Sequence, residues 1–244
     1  MEEARKLIHL PALRGNPERN YRITAVGSVY PGNFAEYVAS IIHGWQDTDT
    51  QRLSALARDL KSLGLTWKVQ TRPIDDTRVE ILVGRLPSAT RGGARDVVSI
   101  ADVGFGVSQT LPVVVALLAA APQQLVFIEQ PEIHLHPKAQ VRLAELFLDA
   151  VERGVRLIVE THSSLLILAF QEIIASGRLD PKRVSMNWFT RDPDGATRVS
   201  EAVIGADGSY GDWPIDFGSI ELELQARYLD TVDRRASGES PARH

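Results

Sequence analysis

Two acids, an amide and two histidines fall within eight positions of this chain: Glu129, Gln130, Glu132, His134 and His136. They follow directly on the apolar run Val126-Phe127-Ile128 and are interrupted by Pro131 and closed by Pro137. A carboxylate at the tip of a buried strand can hold Mg²⁺, directly or through water, beside a phosphate. The neighbouring Gln130 can orient a water molecule but cannot take its proton. General-base catalysis is worth about 10²–10⁴ in rate, so an unaided Gln130 implies slow turnover. Glu132, two residues on, leaves a second carboxylate open as the water-activating group. Two other segments carry complementary chemistry. Val103-Gly104-Phe105-Gly106-Val107-Ser108-Gln109 puts two glycines, a hydroxyl and an amide ahead of an apolar stretch. Backbone N–H groups there, at the start of a helix opened by Ser108, would attract an anion, each contact worth about 0.3–1 kcal/mol. Glu160-Thr161-His162-Ser163 places an imidazole after a second apolar run, Val155 to Val159. Phosphoryl chemistry would use all three.

These groups need a scaffold that brings distant segments to one edge. From 97 to 177 the chain reads as alternating strands and helices, which argues for a parallel sheet. Strands are expected at Val97–Val103, Leu125–Ile128 and Val155–Val159, the last two buried. Helices are expected around Leu111–Leu118, with Pro112 in its first turn, around Val141–Val151, ending at Gly154, and at Leu165–Ala175, ending near Gly177. Upstream, residues 1–32 are mixed and turn-rich. Asn33–Trp45 and Gln51–Leu63 read as helices, and Trp67–Thr71 with Thr77–Val83 as a hairpin turning at Asp75-Asp76. Residues 91–95 read as a loop. Downstream come a hairpin, Val184–Phe189 with Thr197–Ile204, and a loop and helix within Gly205–Val232. The expected class is α/β, a helix-flanked parallel sheet with an antiparallel hairpin region and a small C-terminal appendage. The expected division is a core over 1–190 (1–96 helical and hairpin, 97–190 carrying the polar clusters), a small domain over 191–232, and a disordered tail over 233–244.

Composition bounds the function. The chain has 244 residues, 44% hydrophobic and 24% charged, with a net charge of −4. That describes a globular protein with a sizeable core and no global basic field for nucleic acid or anionic lipid. The absence of cysteine excludes disulfides, thiolate metal sites and a Cys nucleophile. The first residues show no signal-peptide pattern, and no apolar run reaches membrane-spanning length, so a cytoplasmic protein is expected.

With the three clusters in place, the chain resembles the C-terminal half of an ABC/SMC-like ATPase, nearest the OLD-type branch of AAA family ATPases. Within it, the chain is similar to bacterial members ending in a small domain with a Trp-Pro motif, here Gly208-Ser209-Tyr210-Gly211-Asp212-Trp213-Pro214 followed by Asp216-Phe217. The resemblance implies a partial P-loop NTPase lobe that uses ATP and Mg²⁺. It implies that Glu129 holds the metal at the end of the Walker B strand and that Gln130 stands where many relatives have a catalytic Glu. Gly104, Gly106, Ser108 and Gln109 would form a signature loop serving ATP held by an opposite subunit, and His162 would be the switch histidine near the γ-phosphate. His134 and His136 would lie at the subunit contact. Zn²⁺ usually takes three or four ligands, which two histidines do not supply. Arg14 and Arg19 are expected to make surface ion pairs.

A P-loop reads G-x-x-x-x-G-K-[ST]. Lys61-Ser62 is the only Lys followed by Ser or Thr, and Ala55 and Leu60 occupy its glycine positions within an amphipathic helix. The chain is therefore expected to be a subunit or fragment whose P-loop comes from a preceding segment or a partner chain, working as a homodimer or with that partner. The alternative is a regulatory or assembly subunit that keeps the dimer surface without turnover. A nuclease would need clustered acids after His162, where Asp192, Asp194 and Asp207 are scattered among turns. Nucleic acid enters only through kinship.

Overall fold

The computed structural model describes residues 6–27, 29–86, 96–211 and 219–236. The stretch 91–95, Trp213-Pro214 with Asp216-Phe217, and the tail beyond 236 lie outside the described residues. Two compact units divide the chain, Met1–Leu166 and Ile167–His244.

The first unit holds a parallel sheet in the order β1 (Ile8–Leu10), β6 (Leu125–Glu129), β7 (Arg156–Glu160). Ile8 to Leu10 pair with Val126 to Ile128, and Leu125 to Glu129 with Arg156 to Glu160, so Glu129 and Glu160 end in register. Val126, Ile128, Ile8 and Leu10 are fully buried. Burial alternates along both strands, so one face of the sheet is better covered than the other. β6 lies between two strands, whereas β7 pairs with β6 alone among the described strands and is the more exposed on both faces, with Ile158 51% exposed. The expectation of a buried strand at Val155–Val159 is corrected here, because an apolar run does not reveal whether both faces of the sheet are covered.

A second, antiparallel sheet joins β2 (Tyr21–Arg22), β3 (Val69–Asp75), β4 (Arg78–Gly84) and β5 (Val97–Ser99) around β4. The β3–β4 hairpin turns at Asp76-Thr77, one residue later than the expected Asp75-Asp76. Asp75 accepts the Arg78 guanidinium and the Thr77 N–H and hydroxyl, which in that order hold its carboxyl down at about 2. Against this sheet packs α1 (Val38–Thr48), which buries Ile41, Ile42 and Trp45 and follows a 3-10 turn at Phe34–Tyr37. Asp49 then caps α2 (Thr50–Ser62) by accepting the Arg52 N–H, the usual N-cap arrangement. Lys61 and Ser62 close α2, consistent with the helical reading of that pair.

The helix α3 (Phe105–Ala119) packs on β1 and β6, while α4 (Pro137–Glu152) packs on β7 and α3. Three local expectations change. β5 stops at Ser99 and the chain turns through a 3-10 segment at Ile100–Asp102, so the strand does not reach Val103. α3 is capped by Gly104, which puts Ser108 inside the helix and Pro112 two turns in, beyond the first turn. Pro112 has no N–H for the Ser108 carbonyl, so α3 lacks one rung of its ladder. On α4 the buried face runs through Leu143, Ala144, Phe147 and Ala150, and Val141 is exposed.

Helix α5 (Ser164–Ala175) spans the boundary of the two units and ends before Gly177, whose φ is +75°. Within the second unit, the Gln171 side chain donates to the Gly208 carbonyl at 3.0 Å and the Tyr210 hydroxyl to the Ile167 carbonyl at 3.4 Å. Burial pushes the Tyr210 hydroxyl up to about 12. β8 (Met186–Arg191) and β9 (Thr197–Ala202) form the expected hairpin. α6 (Ser219–Ala236) runs four residues into the segment read as tail. Among the described residues no helix is long and apolar enough to cross a membrane.

Candidate functional site

Everything polar in the first unit's site hangs from the ends of β6 and β7. The ladder continues one step beyond the strands, with the Gln130 N–H donating to the Glu160 carbonyl at 2.8 Å. The chain after β6 must then turn at once. Gln130 and His134 both take left-handed backbone conformations, with φ of +42° and +67°. A non-glycine residue there costs of order 1–3 kcal/mol, and such strain concentrates at functional sites. The turn is closed by Ile133 N–H to the Gln130 carbonyl and Leu135 N–H to the Glu132 carbonyl, and anchored by buried Leu135. His136 ends it as the N-cap of α4, its Nδ1 accepting the Lys138 N–H, with Pro137 in the first turn.

Glu129 is held by the N-terminal segment. His9 Nε2 donates to its Oε1 at 2.8 Å and the Ala12 N–H to its Oε2 at 3.1 Å. The His9 ring also stacks on Phe127, with centroids 5.1 Å apart. The His9 hydrogen bond first, then that of Ala12, hold the Glu129 carboxyl below the usual range. It is therefore an anion at neutral pH, and each oxygen keeps a second lone pair. That fits a Mg²⁺ ion, which asks for one or two carboxylates alongside phosphate and water rather than a full protein cage. Among the described residues no group of three or more His, Asp or Glu could enclose a metal ion.

Arg14 ties this end of the sheet to α3. Its guanidinium donates to the Glu129 carbonyl at 2.7 Å and to the Gln109 carbonyl at 3.3 Å, while the Gln109 side chain donates to the Gly15 carbonyl at 2.7 Å. Arg14 is 9% exposed, and burial pulls its guanidinium down to about 10, so it remains a cation at neutral pH. The expectation of surface ion pairing is corrected for Arg14. It stands for Arg19, which pairs with Asp102 at 2.5 Å on the surface. A small cavity of about 50 Å³ lies beside Arg14, bordered by Gly15, Ser108 and Pro112.

In the glycine-containing segment, the exposed start belongs to Gly104 and Phe105. Ser108 is 9% exposed and its Oγ donates to the Phe105 carbonyl at 3.1 Å. The expectation that Ser108 opens the helix therefore gives way to Gly104 as its cap, and the free N–H groups belong to the turn after Gly104. Gly106 packs on the acidic turn. A Cβ there would stand 3.3 Å from the His134 carbonyl, and the neighbouring Phe105 and His134 rings lie 5.6 Å apart.

The His162 N–H donates to Glu132 Oε1 at 2.9 Å, and the His162 side chain is exposed. Ser163 Oγ donates to Gln140 and accepts the Leu166 N–H at the start of α5. Glu129, Gln130, Glu132 and His162 thus gather at neighbouring strand ends. Gln109 is joined to them through Arg14, and Gly106 through the His134 turn. Ser108 instead bonds within its own helix, to the Phe105 carbonyl. The sequence reading missed His9 altogether. Its one signal was a titratable residue between two apolar ones, Ile8 and Leu10, ahead of Pro11.

A family model of AAA domains matches residues 38–169, more than half of the chain. The chain belongs to that family, which is an ATPase-type class. Its description is "AAA domain, putative AbiEii toxin, Type IV TA system". No curated protein matches the chain. Among solved structures, the chain is similar to an SMC ATPase studied for ATP-driven dimerisation and DNA-stimulated activation. That match has 14% identity over 75% of this chain and 96% of the other, with a TM-score of 0.46. It is also similar to the Smc head domain with a coiled coil and joint from Pyrococcus yayanosii, at 15% identity over 65% and 28%, with a TM-score of 0.47. A third likeness is to an SmcHead bound to the C-winged helix domain of ScpA, at 14% identity over 67% and 48%, with a TM-score of 0.44. At these TM-scores and identities the likenesses say nothing about this chain's own partners or activity.

Proposed function

We propose that the chain supplies part of a composite ATP site, hydrolysing ATP when a P-loop is provided by a preceding segment or a partner chain. The observation that carries this reading is the meeting of Glu129, Gln130, Glu132 and the His162 backbone at the adjoining ends of β6 and β7. Among the described strands β7 pairs on one side alone, which supports it. An apolar parallel strand with one side unpaired is suited to accept a further strand, and that strand would arrive beside Glu160 and His162.

In this reading Glu129 holds Mg²⁺, which when bound neutralises developing phosphate charge. Gln130 orients water, with its strained backbone fixing the direction of its amide. Glu132 has one oxygen committed to the His162 N–H. His162 presents its ring at the γ-phosphate position. Gly104, Gly106, Ser108 and Gln109 form the signature-like segment, which acts on ATP held by a second subunit in a homodimer. The OLD-type branch, the core over 1–190, the small C-terminal domain over 191–232 and a cytoplasmic setting belong to the same proposal.

A second reading, a non-hydrolysing regulatory or assembly subunit, is favoured by Gln130 at the position of a general base. Titrating Mg-ATP against the purified chain, alone and with whatever co-purifies, separates the two. Binding only with a partner supports the composite site, and binding in neither setting supports the second reading. Tight binding by the solitary chain overturns the need for an external P-loop.

A further inference from the structure

We infer that Glu132 is a positioning residue, which fixes the His162 loop to the acidic turn and does not take a proton from water. This rests on the composite-site reading for its functional consequence but not for its structural part. β6 and β7 run in register to Glu129 and Glu160, and the last backbone bond between their chains is Gln130 N–H to the Glu160 carbonyl. Beyond it the two chains part. β6 leads into the turn through His134, while β7 leads through Thr161 and His162 toward α5. Glu132 Oε1 closes that gap by accepting the His162 N–H at 2.9 Å, thirty residues along the chain. It is the next fastening after the ladder stops.

The other oxygen argues against a role as base. Oε2 is buried and has no hydrogen-bond partner. A general base must reach the proton it takes, within about 2.6–3.2 Å or through one water, and an oxygen shut off from solvent offers no place for that water. Arg14, a buried cation, interacts electrostatically with both Glu132 and Glu129. The bond to Glu132 is made by the His162 main chain, and its ring is exposed.

Glu132→Gln separates the roles, because an amide oxygen still accepts an N–H bond but cannot act as a base. Two readouts are needed: amide hydrogen exchange at His162 and Ser163 in the full chain without nucleotide, and hydrolysis by the chain with its P-loop-bearing partner. In Glu132→Ala, exchange at His162 rises by about tenfold or more, the scale expected for losing a bond to a charged acceptor. In Glu132→Gln, exchange stays protected and hydrolysis stays within about threefold of the parent, short of the general-base scale. Unchanged exchange in Glu132→Ala overturns the inference. So does a Glu132→Gln protein with protected exchange whose hydrolysis falls by about 10² or more. If Glu132→Ala does not fold, Glu132→Asp, one methylene short of the His162 N–H, replaces it with the same expected rise. If the parent assembly hydrolyses no ATP, the composite-site reading fails, and the exchange measurements still decide whether Glu132 holds the loop.

Discussion

β6 and β7 are adjacent strands of equal length and similar composition, Leu-Val-Phe-Ile-Glu beside Arg-Leu-Ile-Val-Glu. Yet on the face shared by Ile128 and Val159, Ile128 is fully buried and Val159 only partly, and on the opposite face Phe127 is partly buried while its partner Ile158 is 51% exposed. At the shared end, Glu129 has both oxygens bonded by His9 and Ala12, whereas the Glu160 side chain is exposed. Nothing intrinsic to the two pentapeptides accounts for this. β1 lies along one side of the pair and no described strand lies along the other. Apolar content therefore says that a strand can be central, and only its neighbours make it so.

Substitutions along the two strands can break that contrast. Ile128→Ala should cost about 2–5 kcal/mol in stability, the usual range for emptying a packed core site. Ile158→Ala should cost under about 1 kcal/mol, since much of that side chain gains little from folding. Urea unfolding of both variants measures the difference, and equal losses would mean that the Ile158 face of β7 is covered in solution. At the strand ends, Glu129→Gln should lower hydrolysis by the complete assembly about 10²-fold or more, as expected for weakening a metal ligand. Glu160→Gln should leave it unchanged. A matched loss in both would place the metal between the two carboxylates. The smallest effect concerns a site away from the sheet. Burial raises the Asp59 carboxyl above 3.8, against the opposing pull of Arg58. The folded protein thus holds that proton to a higher pH than the unfolded chain, and stability falls as pH rises through the raised value. Asp59→Asn should remove this slope, with thermal stability at pH 7 equal to or slightly above the parent. Melting curves between pH 3 and 7, roughly the span that brackets both forms, test it.

Much of this was legible in the sequence because it depended on short-range rules. The hairpin at Asp75, the end of α5 near Gly177 and the placement of Lys61-Ser62 in a helix follow from local turn and helix patterns. The acidic strand end was equally plain, since polar residues after an apolar run leave little choice. What escaped depended on distant partners. β1 has three residues and no readable period, and it is a strand because Val126 to Ile128 accept it from nearly 120 positions away. His9 and Arg14 acquire their roles only through that pairing. Ser108 escaped for a local reason, because Gly104 could cap the helix first and draw the hydroxyl one turn inward.

The proline in α3 has a mechanical consequence. A helix transmits force along its axis through consecutive carbonyl-to-amide links, and here the link starting at residue 108 has no receiver. The tip around Gly104 and Gly106 is therefore joined to the rest of the helix by one link fewer than its length would suggest. What steadies that end of the helix is packing from outside it, Gly106 against the His134 turn and Gln109 against Arg14 and Gly15.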